Sequence, residues 1–439
     1  MREMKTAARL ILSAAVVLAA GGCAGPSLSY KKSLYTDMDR GDFAAAVKTI
    51  ESEKASEYGS KNSLLYYLDL GMALHDAGRY EESDRVFDQA ELRYDELYTK
   101  SVSRTLGTLM INDNTLPYAG HPFDKVLLHT FRALNYACRG DMEGALVEVR
   151  KQNLFLRTLG DSGAAGYKDD AFAEYLGGLM YEDEGKTDDA RISFAAAAKA
   201  YGVYKKDFGM VPPDFGAAVS TPGWGEVIFL HYNGKAPVLV SKTIQVAWND
   251  ALVAINSSPK SDEESARFAN ALRAGVYTNA VTVALPELRR VDYAITGSEV
   301  FVESATWPTV QAENVGALVK QEFKRSLPGA ALRASARAIF KYVTTNAISK
   351  SAEDKGGSGL GLLAKIAASA VSAATEVADT RTWATVPDEI RVARIALPAG
   401  VHNLHVSFTT AGGVAYSDVI KDIKVEAGHK TFVHRRTAR

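Results

Sequence analysis

The sequence predicts an α+β multidomain chain: an N-terminal helical repeat array, then a mixed α/β region ending in an antiparallel β-sandwich-like sheet. Three observations predict it. A glycine-centred helical signature recurs four times between Gly41 and Ala197. Proline and glycine crowd residues 203–224 and interrupt that pattern. Four short strand-like runs separated by glycine turns follow Glu389. The 439 residues suffice for two or three domains, and an apolar fraction of 47% suffices for sizeable cores. The 51 basic and 52 acidic residues leave a net charge of −1, without the basic excess of a nucleic-acid binder, so no nucleic-acid partner is expected. Two cysteines exclude a disulfide-stapled scaffold and an all-cysteine zinc site.

Arg2, Lys5 and Arg9 precede an apolar run, Leu10 to Ala20, broken only by Ser13. The run is too short to span a bilayer and fits the hydrophobic region of a secretory signal. Ala20-Gly21-Gly22-Cys23 resembles the lipobox of bacterial lipoproteins, departing from it at Ala20, where leucine is preferred. The resemblance implies that residues 1–22 are a lipoprotein signal peptide and that Cys23 becomes the acylated, palmitate-bearing first residue. Ala24 stands where many inner-membrane lipoproteins carry aspartate, which points to the outer membrane, facing the periplasm. The alternative is a plain signal peptide and a soluble periplasmic protein. Removing residues 1–22 leaves a net charge of −3 and Cys138 as the one thiol, expected buried and inert in an apolar helix.

Residues 23–202 form the repeat region. Tyr67, Leu70, Gly71, Leu74, Gly78, Ser83, Phe87 and Ala90 match the spacing of a tetratricopeptide repeat (TPR), a 34-residue helix pair. The signature returns as Ala133, Tyr136, Gly140, Ala145 and Val149, and again as Gly178, Tyr181, Gly185, Ala190, Phe194 and Ala197. Gly41-Asp42-Phe43, Ala46 and Ile50 make a partial first copy. Two insertions read as loops, 111–122 and 160–166.

The first helix of each pair faces the inner wall of such an array. That wall carries Leu65, Leu68, Met72 and His75, then Leu127, Thr130 and Leu134, then Phe172, Tyr175 and Leu179, with Glu182 and Asp183 as an acidic end. One reading is an open groove that binds a partner peptide or helix, which makes Leu65, Leu68, Met72, His75, Leu127, Leu134, Phe172 and Tyr175 candidate partner-binding residues. The favoured reading is a wall covered by another part of the same chain.

A linker over 203–224 leads to a β-rich segment, 225–310, with strand-like runs at Glu226–His231, Pro237–Ala247, Ala280–Leu285 and part of Val291–Val302. A helical segment, 311–378, follows. It reads as two amphipathic helices broken at Pro328-Gly329, then a flexible connection over Ser349–Gly361, then a small-residue helix over Leu360–Ala378. Lys365 and Glu376 argue against a membrane span there. Residues 379–439 complete the β-rich domain with runs at Ile390–Leu397, Val401–Thr409, Ala415–Val425 and Lys430–Arg435, expected as one antiparallel sheet.

No Walker loop, dinucleotide-binding glycine fingerprint or HExxH motif is present in the sequence, and no cofactor or metal is expected. His402 and His405 are three apart on a strand and face opposite sides, as the turn-flanking His429 and His434 are expected to. Asp379, Arg381 and Trp383 form a candidate junction or pocket. They either lock helix to strand, the favoured reading, or orient a ligand.

The stretch His121 to His129, with Ala133-Leu134-Asn135-Tyr136, Gly140-Asp141 and Ala145 to Arg150, resembles a family of bacterial TPR outer-membrane lipoproteins with a β-rich C-terminal region. So do Gly225 to His231, Asp379 to Trp383 and Leu397 to His402. The family brings no established activity and no catalytic residues. The resemblance implies association with other envelope proteins or lipoproteins. The sequence-based expectation is a lipid-anchored, non-enzymatic envelope scaffold or adaptor that binds partners through its repeats. The alternative is an envelope hydrolase or glycan-binding protein with a pocket near Asp379, Arg381 and Trp383.

Overall fold

The glycines that punctuate the repeats become hairpin turns. In the computed structural model, which describes residues 29–102, 114, 116–161, 170–213, 219–247, 280–356 and 377–439, four helix pairs follow one another. They are α1 (Ser29–Asp39) with α2 (Phe43–Ser52), α3 (Ser63–Asp76) with α4 (Tyr80–Val102), α5 (Pro122–Cys138) with α6 (Met142–Asp161), and α7 (Ala171–Asp183) with α8 (Thr187–Phe208). Gly41, Gly78, Gly140 and Gly185 sit at the four turns with φ between 66° and 77°, a region where a Cβ is strained. Inside the pairs, Gly71 and Gly178 let the partner helix close in. A Cβ on either would lie 2.6 or 2.5 Å from the ring of Phe87 or Phe194. Helix α8 runs through Phe208 and ends on left-handed Gly209, so the helical region extends beyond residue 202 and the expected linker is shorter by that much.

The β region is two four-stranded sheets and a separate hairpin. The first sheet has the order β10 (Lys430–Thr437), β1 (Trp224–Asn233), β7 (Glu389–Pro398), β6 (Val310–Glu313). The second has β5 (Ala305–Pro308), β4 (Gly297–Val302), β8 (Gly400–Thr410), β9 (Gly413–Val425). Strands β2 (Val238–Ala247) and β3 (Ala280–Arg289) pair antiparallel. The C-terminal strands therefore do not make one antiparallel sheet, as the sequence suggested. β7 and β10 join the first sheet and the β8–β9 hairpin joins the second, while β10 pairs parallel to β1, Glu226 opposite Lys430 through Asn233 opposite Thr437. The physical reason is β1, which is buried from Gly225 to Asn233 and needs a strand on each side and a layer on each face.

Those two faces define three layers. Val227 and Phe229 of β1 pack with Ile395, Val406 and Phe408 in the core between the sheets. Ile228, Leu230 and Tyr232 point the other way and join the core of the helical array.

The final helix of the described chain, α9 (Val315–Gly356), is continuous. This corrects both the break at Pro328-Gly329 and the first part of the connection expected over 349–361. Pro328 and Lys324, whose carbonyl loses its donor, both lie on the exposed side of the helix, where solvent can reach that carbonyl, so the helix tolerates the proline. Cys23, the signal-like segment and most of the small-residue stretch 360–378 lie outside the described residues, as do parts of both repeat-region loops. No described helix is long and apolar enough to cross a membrane.

Candidate functional site

The apolar wall of the array is core. Leu65, Leu68, Met72, His75, Leu127, Leu134, Phe172 and Tyr175 are all buried, and their cluster includes Ile228, Leu230, Tyr232, Val392 and Phe432 of the first sheet. An open partner groove at these residues is corrected: the protein's own sheet fills it. The acidic end of the wall clamps the same sheet. Glu182 receives Arg394 at 3.2 Å and Lys430 at 3.0 Å, and Asp183 accepts the backbone N–H of Lys430.

His75 is satisfied within this seam. Its Nδ1–H donates to Asn135 Oδ1 at 2.7 Å, and its Nε2 accepts the Tyr232 hydroxyl at 3.1 Å. Asn135 donates onward to Ser83, and Ser83 to the Gly71 carbonyl. Burial holds the imidazole neutral, at about 4. Burial likewise pushes the Cys138 thiol up to about 12, against a hydrogen bond with Tyr80. Neither group is poised for chemistry.

The junction residues lock a strap, 377–388, across the array. Arg381 holds Asp379 through Nε at 2.9 Å and Nη2 at 2.6 Å. Its Nη1 donates to Asn62 Oδ1 and to the Leu116 carbonyl. Trp383 sets its ring edge-on to Phe87 and Phe131, and its Nε1 donates to Thr385. Asp69 of α3 accepts the backbone N–H groups of Ala384 and Thr385 at 2.8 and 3.1 Å, and the Tyr58 hydroxyl at 2.8 Å. Burial nevertheless raises the Asp69 carboxyl to about 6.

Beside this strap lies a double recess. An outer chamber of about 260 Å³ is walled by the 116–121 segment, β2, β3 and α9, with Asp379 and Arg381 at its edge. An inner chamber of about 40 Å³ is lined by His121, Asp124, Glu322, Thr382 and Trp383. The two share Tyr118, His121, Leu239, Phe323 and Ser326. His121 ends the extended segment before α5, Pro122 sits at the first helical position, and Asp124 caps back to the His121 N–H at 2.8 Å. Asp124 Oδ2 also accepts the Tyr118 hydroxyl at 2.9 Å, while Oδ1 has no partner, and neither has Thr382 Oγ1.

His121 Nδ1 faces Glu322 Oε1 at 3.6 Å. Burial alone would lower the imidazole, but the hydrogen bond with Glu322 and the charges of Asp124, Glu322 and Asp379 raise it. Burial likewise opposes the charge on Glu322, and His121 and Arg325 overcome it and pull that carboxyl down. Asp124 is held up by burial, against the charge of His121. Chemically, the recess offers fixed acceptors to a small donor, with a His–Glu pair alongside.

Sequence reasoning singled out Asp379, Arg381 and Trp383 here but assigned no role to His121, Asp124, Glu322 or Thr382. The His-Pro-Phe-Asp order, a helix-start signature, was the available signal for the first two. Glu322 lies in the first of the two helices read as amphipathic, before Pro328.

Among the described residues, one group has metal-ligand geometry: Glu91, His129 and Glu148, with candidate ligand atoms within 4.8 Å of one another. Its carboxylates are already engaged. Arg132 pairs with Glu91 and lies 3.6 Å from Glu148, Lys151 reaches both at 3.0 and 3.2 Å, and His129 Nδ1 meets Glu148 at 2.7 Å. Burial would raise Glu148, but the His129 hydrogen bond and the charges of Arg132, His129 and Lys151 hold it below its ordinary range. The donor set suits an ion-pair network better than a cation.

No family model, curated protein or solved structure matches the chain.

Proposed function

We propose that the chain is a lipid-anchored adaptor of the bacterial envelope. Its TPR-like array is rigidified by its own β-sandwich and meets other envelope proteins on its outer faces, without catalysis. The observation that carries this reading is the single core shared by array and first sheet. It leaves the second helices of the pairs facing outward, where Leu92, Leu154 and Ile192 are each more than half exposed. The glycine turns and the Gly71–Phe87 and Gly178–Phe194 approaches support the TPR-like reading of the pairs. The lipobox resemblance supports Cys23 as the anchor and the outer membrane as the location.

Two measurements test the reading. A Cys23→Ser variant should leave the membrane fraction or stall unprocessed. Photo-crosslinkers placed at 92 and 154 should capture one defined envelope protein in stoichiometric yield, and Leu92→Lys with Leu154→Lys should abolish its co-purification. Membrane retention of a processed Cys23→Ser variant after a high-salt wash, or repeated recovery of the chain alone, would reject it.

A further inference from the structure

We propose that the double recess beside His121 binds a small primary ammonium, its charged head in the inner chamber and a short apolar body in the outer one. Two buried oxygens without hydrogen-bond partners, Asp124 Oδ1 and Thr382 Oγ1, belong to residues lining the inner chamber. A buried polar oxygen left unmet is destabilising, and native structures rarely keep two beside one cavity without something that bonds to them. Tyr118 and the His121 N–H engage the other oxygen of Asp124, so the carboxylate cannot turn to satisfy Oδ1 within the protein.

The chemistry of the donor follows from the charges. Asp124 and Glu322 put two carboxyl groups on this small chamber, and Glu322 is already paired with His121 and Arg325, so Asp124 Oδ1 is the carboxylate oxygen left to a ligand. An anion is disfavoured there. A hydroxyl or amide supplies hydrogen bonds but no charge. An ammonium supplies three donors and a positive charge, and it offsets the burial that opposes ionisation of Asp124. Leu239, Ala284, Pro286, Phe323 and Ala330 give the outer chamber its apolar bed, and Arg333 and Arg381, the latter held by Asp379, also line it. Its volume of about 260 Å³ is below that of ordinary drug-sized sites and suits a small amine. The proposal stands independently of the adaptor reading, since it uses neither the anchor nor the outer helices.

The probe is n-butylammonium, with n-butanol as its neutral counterpart, titrated into the full chain by calorimetry and ligand-observed NMR. Saturable binding of n-butylammonium is expected, with n-butanol at least about tenfold weaker, the loss of one charge-assisted hydrogen bond. Thr382→Val leaves the Asp124 helix cap intact and should weaken binding about tenfold on the same ground. Leu239→Trp should weaken it strongly by crowding the wall that the two chambers share. Asp124→Asn should abolish it, and Thr382→Val carries the test if that variant misfolds. The proposal is overturned by absent saturable binding, by equal affinity for n-butanol, or by unchanged binding in folded Thr382→Val and Leu239→Trp.

Discussion

The imidazoles of His75 and His434 are stacked, 4.5 Å between centroids and 20° between planes, one on α3 and the other on the last strand. Tyr232 stacks on His434 at 5.0 Å, and the Tyr80 hydroxyl donates to His434 Nδ1 at 3.3 Å. Arg436 adds positive charge to both rings. Two stacked rings beside a buried guanidinium cannot both take a proton without repulsion. Burial already holds His75 at about 4 and His434 well below its usual value of 6.5.

The pH dependence follows by linkage. A histidine whose folded pKa is depressed stabilises the fold fully above its unfolded value of 6.5, and that contribution is lost as pH falls toward about 4. For His75 the loss is on the order of 3 kcal/mol. His434→Phe keeps the stack and removes one of the two titrating rings. Its melting temperature relative to the wild type should rise steadily as pH drops from 6.5 to 4. A difference that stays flat across this window would show that the rings do not titrate with unfolding.

Asp76 predicts the opposite sign. Its side chain is buried, neither oxygen has a hydrogen bond, and Arg436 Nε is 3.8 Å away. Burial raises its carboxyl to about 7, against the charge of Arg436. A raised carboxyl contributes stability below its unfolded value of 3.8 and loses it as pH climbs through about 7. Asp76→Asn should therefore be near neutral at pH 4 and stabilising relative to the wild type above pH 7, as thermal unfolding at the two pH values would show. A variant less stable than the wild type at pH 8 would mean that the Arg436 attraction outweighs burial.

Glycine substitutions separate close approach from helix propensity. At Gly71 and Gly178 an added methyl meets an aromatic ring inside 3 Å, so Gly71→Ala and Gly178→Ala should each destabilise by about 1–3 kcal/mol. Gly202 on α8 has open space around its would-be Cβ and an ordinary helical backbone. Gly202→Ala should stabilise by up to about 1 kcal/mol. Denaturant unfolding of the three variants measures all of this. Equal effects at the three sites would show that the helix pairs do not pack through their glycines.

The helix pairs were legible because their signals are local. Gly78 and Gly140 mark turns, and Gly71 and Phe87 meet within one hairpin. The strap was legible as a junction for the same reason, since Arg381 and Asp379 are two residues apart. Sheet membership was not, because the parallel pairing of Val227 with Thr431 joins segments about 200 residues apart in the sequence. Pro328 misled because its helix-breaking tendency is a local rule that exposure on α9 overrides. The recess draws Thr382 from the strap, Asp124 from a helix cap and Glu322 from α9. Each had an ordinary structural reading, and only their meeting leaves two buried oxygens without hydrogen-bond partners beside one cavity.

Leu134 tests the closed wall itself. Its side chain is wholly buried in the core that joins α3 and α5 to Tyr232 and Phe432. Leu134→Ala should cost about 2–5 kcal/mol by leaving a cavity. Leu134→Asp should cost more at neutral pH, because an ionised carboxylate there has no partner. Desolvation would raise the new carboxyl, so the aspartate variant should recover part of its deficit as pH is lowered, while the alanine variant should keep a constant one. Thermal unfolding of both variants from pH 8 to pH 5 distinguishes the cases. If the wall were open to solvent, neither variant would change the melting temperature much. The aspartate would then keep an ordinary pKa and show no recovery, and Leu134 would be free to contact a partner.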